Sequence, residues 1–170
     1  MKRRIAAVII VFLFLPLCAC GEKSGEGPVT AVALGSTLKQ AMKLEPALGS
    51  YKEHQYTCSK NYEGAEGTLL IYCTALADEE TVTSILWTAQ PTGGNGKAVY
   101  DTLFSVLRKL HGKPGRCSDE KDVEALVGVY SEAQAQWQLT DCTVRCSYIE
   151  YRDSGLCEIQ YALRSSHSFH

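Results

Sequence analysis

The chain has 170 residues, 17 of them basic and 19 acidic, with a formal charge of −2. That length supports one hydrophobic core, and nothing in the composition asks for a second independent domain. A mildly acidic chain lacks the clustered Lys and Arg that nucleic acid requires, and the same balance argues against peripheral binding to anionic lipid head groups.

Lys2, Arg3 and Arg4 precede an apolar run from Ile5 to Leu17, the arrangement of an export signal. The run falls short of the roughly 20 apolar residues that span a bilayer, and the polar stretch Gly21 to Glu26 does not extend it. Leu17-Cys18-Ala19-Cys20-Gly21 resembles the lipobox of bacterial lipoproteins, although Cys18 stands where Ala, Ser or Thr is more usual. The resemblance implies removal of residues 1–19 and acylation of Cys20 (diacylglycerol and palmitate-type chains), which holds a protein on a membrane at about 0.8 kcal/mol per buried methylene. Ordinary signal-peptidase cleavage after Ala19 is the alternative. Gly21, rather than Asp, resembles the sorting pattern of outer-membrane lipoproteins, facing the periplasm or the cell surface. Cleavage would leave 14 basic against 19 acidic residues.

Residues 20–33 read as the lipidated cysteine and a flexible tether, rich in Gly and free of apolar periodicity up to Pro28. Ser36 is a candidate cap for a helix carrying Leu38, Ala41, Met42 and Leu44. Strand-like runs follow at His54 to Ser59, Thr68 to Ala75 and Thr81 to Gln90, the first two joined by a turn centred on Ala65 and Glu66. Pro91 to Gly96 is a connecting loop. The spacing of Val99, Leu103, Val106, Leu107 and Leu110 predicts a helix over 97–111, stopped by Gly112 and Pro114. Cys117 to Val129 reads as a charged loop with a short helix near Val123 to Leu126. Three further strands are expected at Glu132 to Leu139, Cys142 to Tyr151 and Leu156 to Leu163.

The expected class is α+β: tandem helix-βββ units (34–90 and 96–164) forming antiparallel sheet packed on helices, within one domain at 34–164, with a frayed tail at 165–170. Period-two alternation puts Ala133, Ala135, Trp137, Leu139, Cys142, Val144, Cys146, Tyr148, Cys157, Ile159, Tyr161 and Leu163 on an inner face. The outer face then carries Tyr72, Gln134, Gln136, Gln138, Arg145, Tyr151, Gln160 and Arg164, a mixture suited to binding a protein partner.

Setting aside Cys18 and Cys20 leaves six cysteines, Cys58, Cys73, Cys117, Cys142, Cys146 and Cys157, an even set expected to form disulfides in an oxidising compartment. The turn at Ala65 and Glu66 would set Cys58 opposite Cys73. Cys146 would face Cys157, leaving Cys117 for Cys142, if the last hairpin turned at Tyr151-Arg152, whereas a turn at Asp153-Ser154-Gly155 would separate that pair. The CxxxC of Cys142 and Cys146 lacks a second matching pair, so neither metal nor cofactor is expected.

No nucleophile elbow, metalloprotease helix, phosphate loop or CxxC occurs. His54 and His111 sit at element ends, His167 and His170 in the tail, and Asp78-Glu79-Glu80 and Asp119-Glu120 in polar stretches that read as solvated loops. An enzyme is therefore not expected. The tandem order of helix and sheet resembles beta-lactamase-inhibitor-protein-like domains, and a single unit resembles the small lipoprotein of the outer-membrane barrel-assembly machinery, over residues 34 to 164. The expectation is a non-catalytic protein-binding envelope lipoprotein, such as an inhibitor or immunity protein for an envelope enzyme or toxin. An envelope assembly factor, a small hydrolase or a ligand carrier is the alternative.

Overall fold

The computed structural model describes residues 27–76, 78–125, 128–151 and 154–164. They form one eight-stranded antiparallel sheet with two helices on one side. The first half comprises α1 (Leu38–Leu44), β1 (Gly49–Lys52), β2 (Gln55–Ser59), β3 (Gly67–Leu76) and β4 (Glu79–Ala89). The second comprises α2 (Gly96–His111), β5 (Arg116–Ala125), β6 (Gly128–Gln138), β7 (Cys142–Tyr151) and β8 (Ser154–Leu163). The spatial order β1-β2-β3-β4-β8-β7-β6-β5 is that of two four-stranded meanders joined where β4 pairs with β8.

This corrects the expected class in three respects: the protein is mostly antiparallel sheet, each half has four strands rather than three, and it is not disulfide-stapled. The missed strands are the two edges. β1 is only four residues long and wholly exposed, so it has no apolar face to announce it. β5 (RCSDEKDVEA), expected as a charged loop and short helix, is dense in charge, which is how an edge strand avoids pairing with other chains.

The cysteine pairs fail on register. Glu63 and Gly64 both have positive φ, 49° and 79°, and form a two-residue turn closed by Tyr62 and Ala65. Its centre lies two residues before the expected one, which shifts each partner by four. Cys58 faces Leu69, leaving Cys73 about 13 Å further along β3. On β7, Cys146 faces Ile159 while Cys157 faces Tyr148; this diagonal offset of about 7–8 Å exceeds the reach of a disulfide. Cys117 and Cys142 are separated by the whole of β6. All six are free thiols; five are buried and Cys117 is exposed. Burial and neighbouring charge push Cys73 up to about 11 and Cys157 up to about 12, so these thiols behave as core apolar groups.

The core lies between helices and sheet. Tyr100, Leu103 and Leu107 of α2 are buried against β7 and β8, and each such leucine contributes roughly 1.5–3 kcal/mol. Leu110, on the same spacing, stays 54% exposed, while its neighbour His111 turns in to pack against Trp137 and Tyr161. Thr37, not Ser36, caps α1, through a reciprocal bond with Gln40, while Ser36 donates to the Ala33 carbonyl. Ahead of it, Val29 and Val32 are buried, and Glu45 accepts from Thr30 (2.7 Å) and Lys60 (2.6 Å), clamping the N-terminal segment to the β2–β3 loop.

A bulge in β4, where Thr83 is the extra residue between Val82 and Ser84, lets Val82 join Ile85, Trp87 and Ala89 on the inner face. Trp87 lies over Gly67 and donates to the Lys60 carbonyl at 2.7 Å. A Cβ at Gly67 would lie 2.5 Å from the indole. Gly67→Ala should therefore destabilise the protein by about 1–3 kcal/mol in urea unfolding, with quenched or shifted tryptophan emission. In native buffer Cys117 should be the only one of the six thiols to react promptly with a bulky reagent; the other five should become reactive on unfolding, as read by reaction kinetics and peptide mapping.

Candidate functional site

The helices, the N-terminal segment from Gly27 and the aromatic core all lie on one side of the sheet, and among the described residues no element covers the other side. Register orders the open side into cross-strand rows. One runs Leu70, Leu86, Gln160, Arg145, Gln136, Arg116; the next toward the β7–β6 connection runs Tyr72, Ser84, Ala162, Thr143, Gln138; on the other side lies Thr68, Thr88, Glu158, Ser147, Gln134, Ser118. The face is apolar and aromatic near β3 and β4, and polar with Arg145 and Gln136 on β7 and β6.

Gln136, Arg145 and Gln160 thus share one row, with Gln134 and Gln138 two residues to either side on β6. Arg145 is exposed and makes no ion pair among the described residues. Gln160 lies 3.5 Å from the Ser84 hydroxyl, and Gln138 accepts from Thr143 at 3.2 Å. Tyr72 is half-buried on β3, whereas Tyr151 lies eight residues beyond Thr143 on β7, about 27 Å away along the strand. The two tyrosines therefore do not form one cluster. Arg164, just past β8, donates to the Leu139 carbonyl at 3.4 Å. Leu86, Thr88 and Glu158 complete the face. Sequence parity within β4 and β8 orients them, but only the β4–β8 pairing places them beside Gln160. Cys20 lies outside the described residues.

At the Tyr151 end two shallow clefts cross the sheet and share Gln90. One of about 370 Å³ is lined by Pro91, Ile149, Tyr151 and Leu156, and the other, of about 480 Å³, by Ser59, Asn61, Glu66, Thr68 and Thr88. Together they supply an apolar and a polar recess at the margin of the same face.

On the helix side, the titratable residues meet in one unexpected cluster. Glu80, expected in a solvated loop, lies in β4 and takes hydrogen bonds from the Tyr56 hydroxyl on one oxygen and His54 Nδ1 on the other. His54 has a left-handed φ of 57°, and its carbonyl accepts from Cys73 N–H at 2.8 Å. A carboxylate orienting a histidine is half of a catalytic triad, but the nearby thiol carries its proton well above neutrality, the reverse of an activated nucleophile. Among the described residues no group of three or more His, Cys, Asp or Glu converges to hold a metal. The two hydrogen bonds to Glu80 tie the β1–β2 turn and β2 to β4.

No family model, curated protein or solved structure matches this chain.

The hydrogen bonds from Tyr56 and His54 hold the Glu80 carboxyl below its ordinary value, and the bond to Glu80, reinforced by burial, raises Tyr56 to about 12. A lowered carboxyl gives stability that is present above its unfolded pKa and lost as pH falls through the folded one. A raised phenol gives stability that is complete below its unfolded pKa of 10 and lost as pH rises through about 12. Tyr56→Phe should return Glu80 toward its ordinary value, move the acid limb of the stability profile to higher pH and cost about 1 kcal/mol at neutral pH. Carboxyl NMR titration and pH-dependent urea unfolding measure both.

Proposed function

We propose that this chain is a lipid-anchored protein of a bacterial envelope that binds another protein through the open face of its sheet and does not catalyse a reaction. The observation that carries the reading is that open face, which no element among the described residues covers and which is graded from leucine and tyrosine to glutamine and arginine. Tyr and Arg are favoured contact residues, and the gradient gives a partner both an apolar anchor and a polar register.

Where the tether begins supports the same orientation. Gly27 lies against the Tyr161 ring on the helix side, where a Cβ would come within 2.8 Å. From there to Cys20 the chain can span at most about 25 Å. An anchor at Cys20 would therefore turn the helices toward the membrane and the open face away from it. Among the described residues no helix is long and apolar enough to cross a membrane. Inhibition of an envelope enzyme, including immunity to a toxin, is the form of binding proposed; outer-membrane placement rests on the resemblance of Gly21 to the sorting pattern of outer-membrane lipoproteins.

Cys20→Ser should move the protein from the membrane to the soluble fraction. A photo-crosslinking residue at Gln136 or Gln160 should yield a discrete partner adduct in intact cells, whereas one at Ser105 on α2 should not. Arg145→Glu should lower the open-face yield about tenfold. Adducts from Ser105 alone, or from neither side, would overturn the reading.

A further inference from the structure

The charges of this acidic chain are not evenly spread. α1 has the sequence LKQAMKL, with no acidic residue, and Lys39 and Lys43 are exposed. α2 has a single acid, Asp101, neutralised by Lys97 at 2.6 Å. Its last turn exposes Arg108 and Lys109, followed by exposed Lys113. Among these cations stand three large apolar side chains that the core leaves uncovered: Met42 at 42% exposed, Leu44 at 51% and Leu110 at 54%. Long cationic chains interspersed with exposed apolar ones form the pattern of a surface lying at a lipid head-group boundary.

The first described residue, Gly27, lies at the same place. Tyr161, whose ring packs on Gly27, shares a hydrogen bond of 2.9 Å with His111 Nε2, so the tether departs beside the last turn of α2. The basic turn and Leu110 thus lie near the point from which a tether to Cys20 would leave the domain. We propose that the outer surface of the two helices, centred on Arg108, Lys109, Leu110 and Lys113, docks on anionic phospholipid. Resting on the anchored reading above, it adds a second, electrostatic contact that fixes the domain's orientation. Composition argues against lipid head groups only because the acids that outnumber the bases lie elsewhere: the helices carry two acid-free patches that net charge averages away.

The test uses the lipidated protein carrying Leu110→Trp, reconstituted in vesicles of pure phosphatidylcholine or with about one-third phosphatidylglycerol, each containing brominated acyl chains. Trp87 and Trp137 are buried and serve as an unquenched background. The new tryptophan should be quenched about threefold more in the anionic vesicles. That difference should vanish with Lys109→Gln and Lys113→Gln, which spare the packed face of α2, while unfolding remains unchanged. An Ile149→Trp reporter on the open face should show no quenching in either vesicle. Equal quenching in both lipids, none in either, or quenching at Ile149→Trp would overturn the docking surface. Failure of the protein to sediment with neutral vesicles would instead remove the anchor itself, so the two failures are distinguishable.

Discussion

The whole architecture depends on one strand pairing. Seven strand contacts build the sheet, and six of them join strands consecutive in the chain; only β4 with β8 brings distant segments together, setting Ser84 beside Ala162 and Ala89 beside Cys157. Without that seam each half would be a meander with one helix and an exposed central edge. With it, the inner face becomes one core under α1 and α2, and the outer face becomes continuous from Tyr72 to Gln138. Loop-closure cost makes this the contact that must be won by burial, and Trp87, Ile159 and Tyr161 supply it on adjacent strands.

The two sides of the sheet then divide the chemistry. The helix side gathers large apolar groups, five buried thiols and a cationic exterior. The open side keeps hydroxyls and amides, several of which are already spent: Thr57 donates to the Leu69 carbonyl, Thr83 to Tyr72 and Ser84 to Tyr161. A face whose hydroxyls are committed to its own backbone offers a stable platform, with Arg145, Gln136 and Glu158 as its more adaptable groups.

Much of this was legible in the sequence where burial is one-sided. Alternation along 132–139, 142–151 and 156–163 marks an inner face because one side of each strand meets the core, and Ala133, Trp137, Val144, Tyr148 and Ile159 are all buried. The apolar spacing of α2 is plain for the same reason. What escaped sequence reading lacks such an imprint. Edge strands β1 and β5 need no apolar stripe, and the Glu63-Gly64 turn lies beside a second Glu-Gly pair, Glu66-Gly67, so the order alone does not select the pair with positive φ. The β4–β8 register is fixed by packing of the halves. The candidate face was readable as parity, yet its rows, and the distance between Tyr72 and Tyr151, required that register. Glu80 looked like a loop acid because its partners, Tyr56 and His54, lie more than twenty residues away.

The N-terminal segment has a mechanical consequence. Gly35 donates to the Val82 carbonyl and Val82 to that of Ser36, both at 2.8 Å, so the segment occupies the flank of β4 that β8 leaves vacant. Tension transmitted from an anchor would enter an interior strand bonded on both sides, and the carboxylate of Glu45 would share the load through Thr30. Such a pull would load several hydrogen bonds together instead of unzipping an edge one bond at a time, because it would reach the sheet through a strand in its interior.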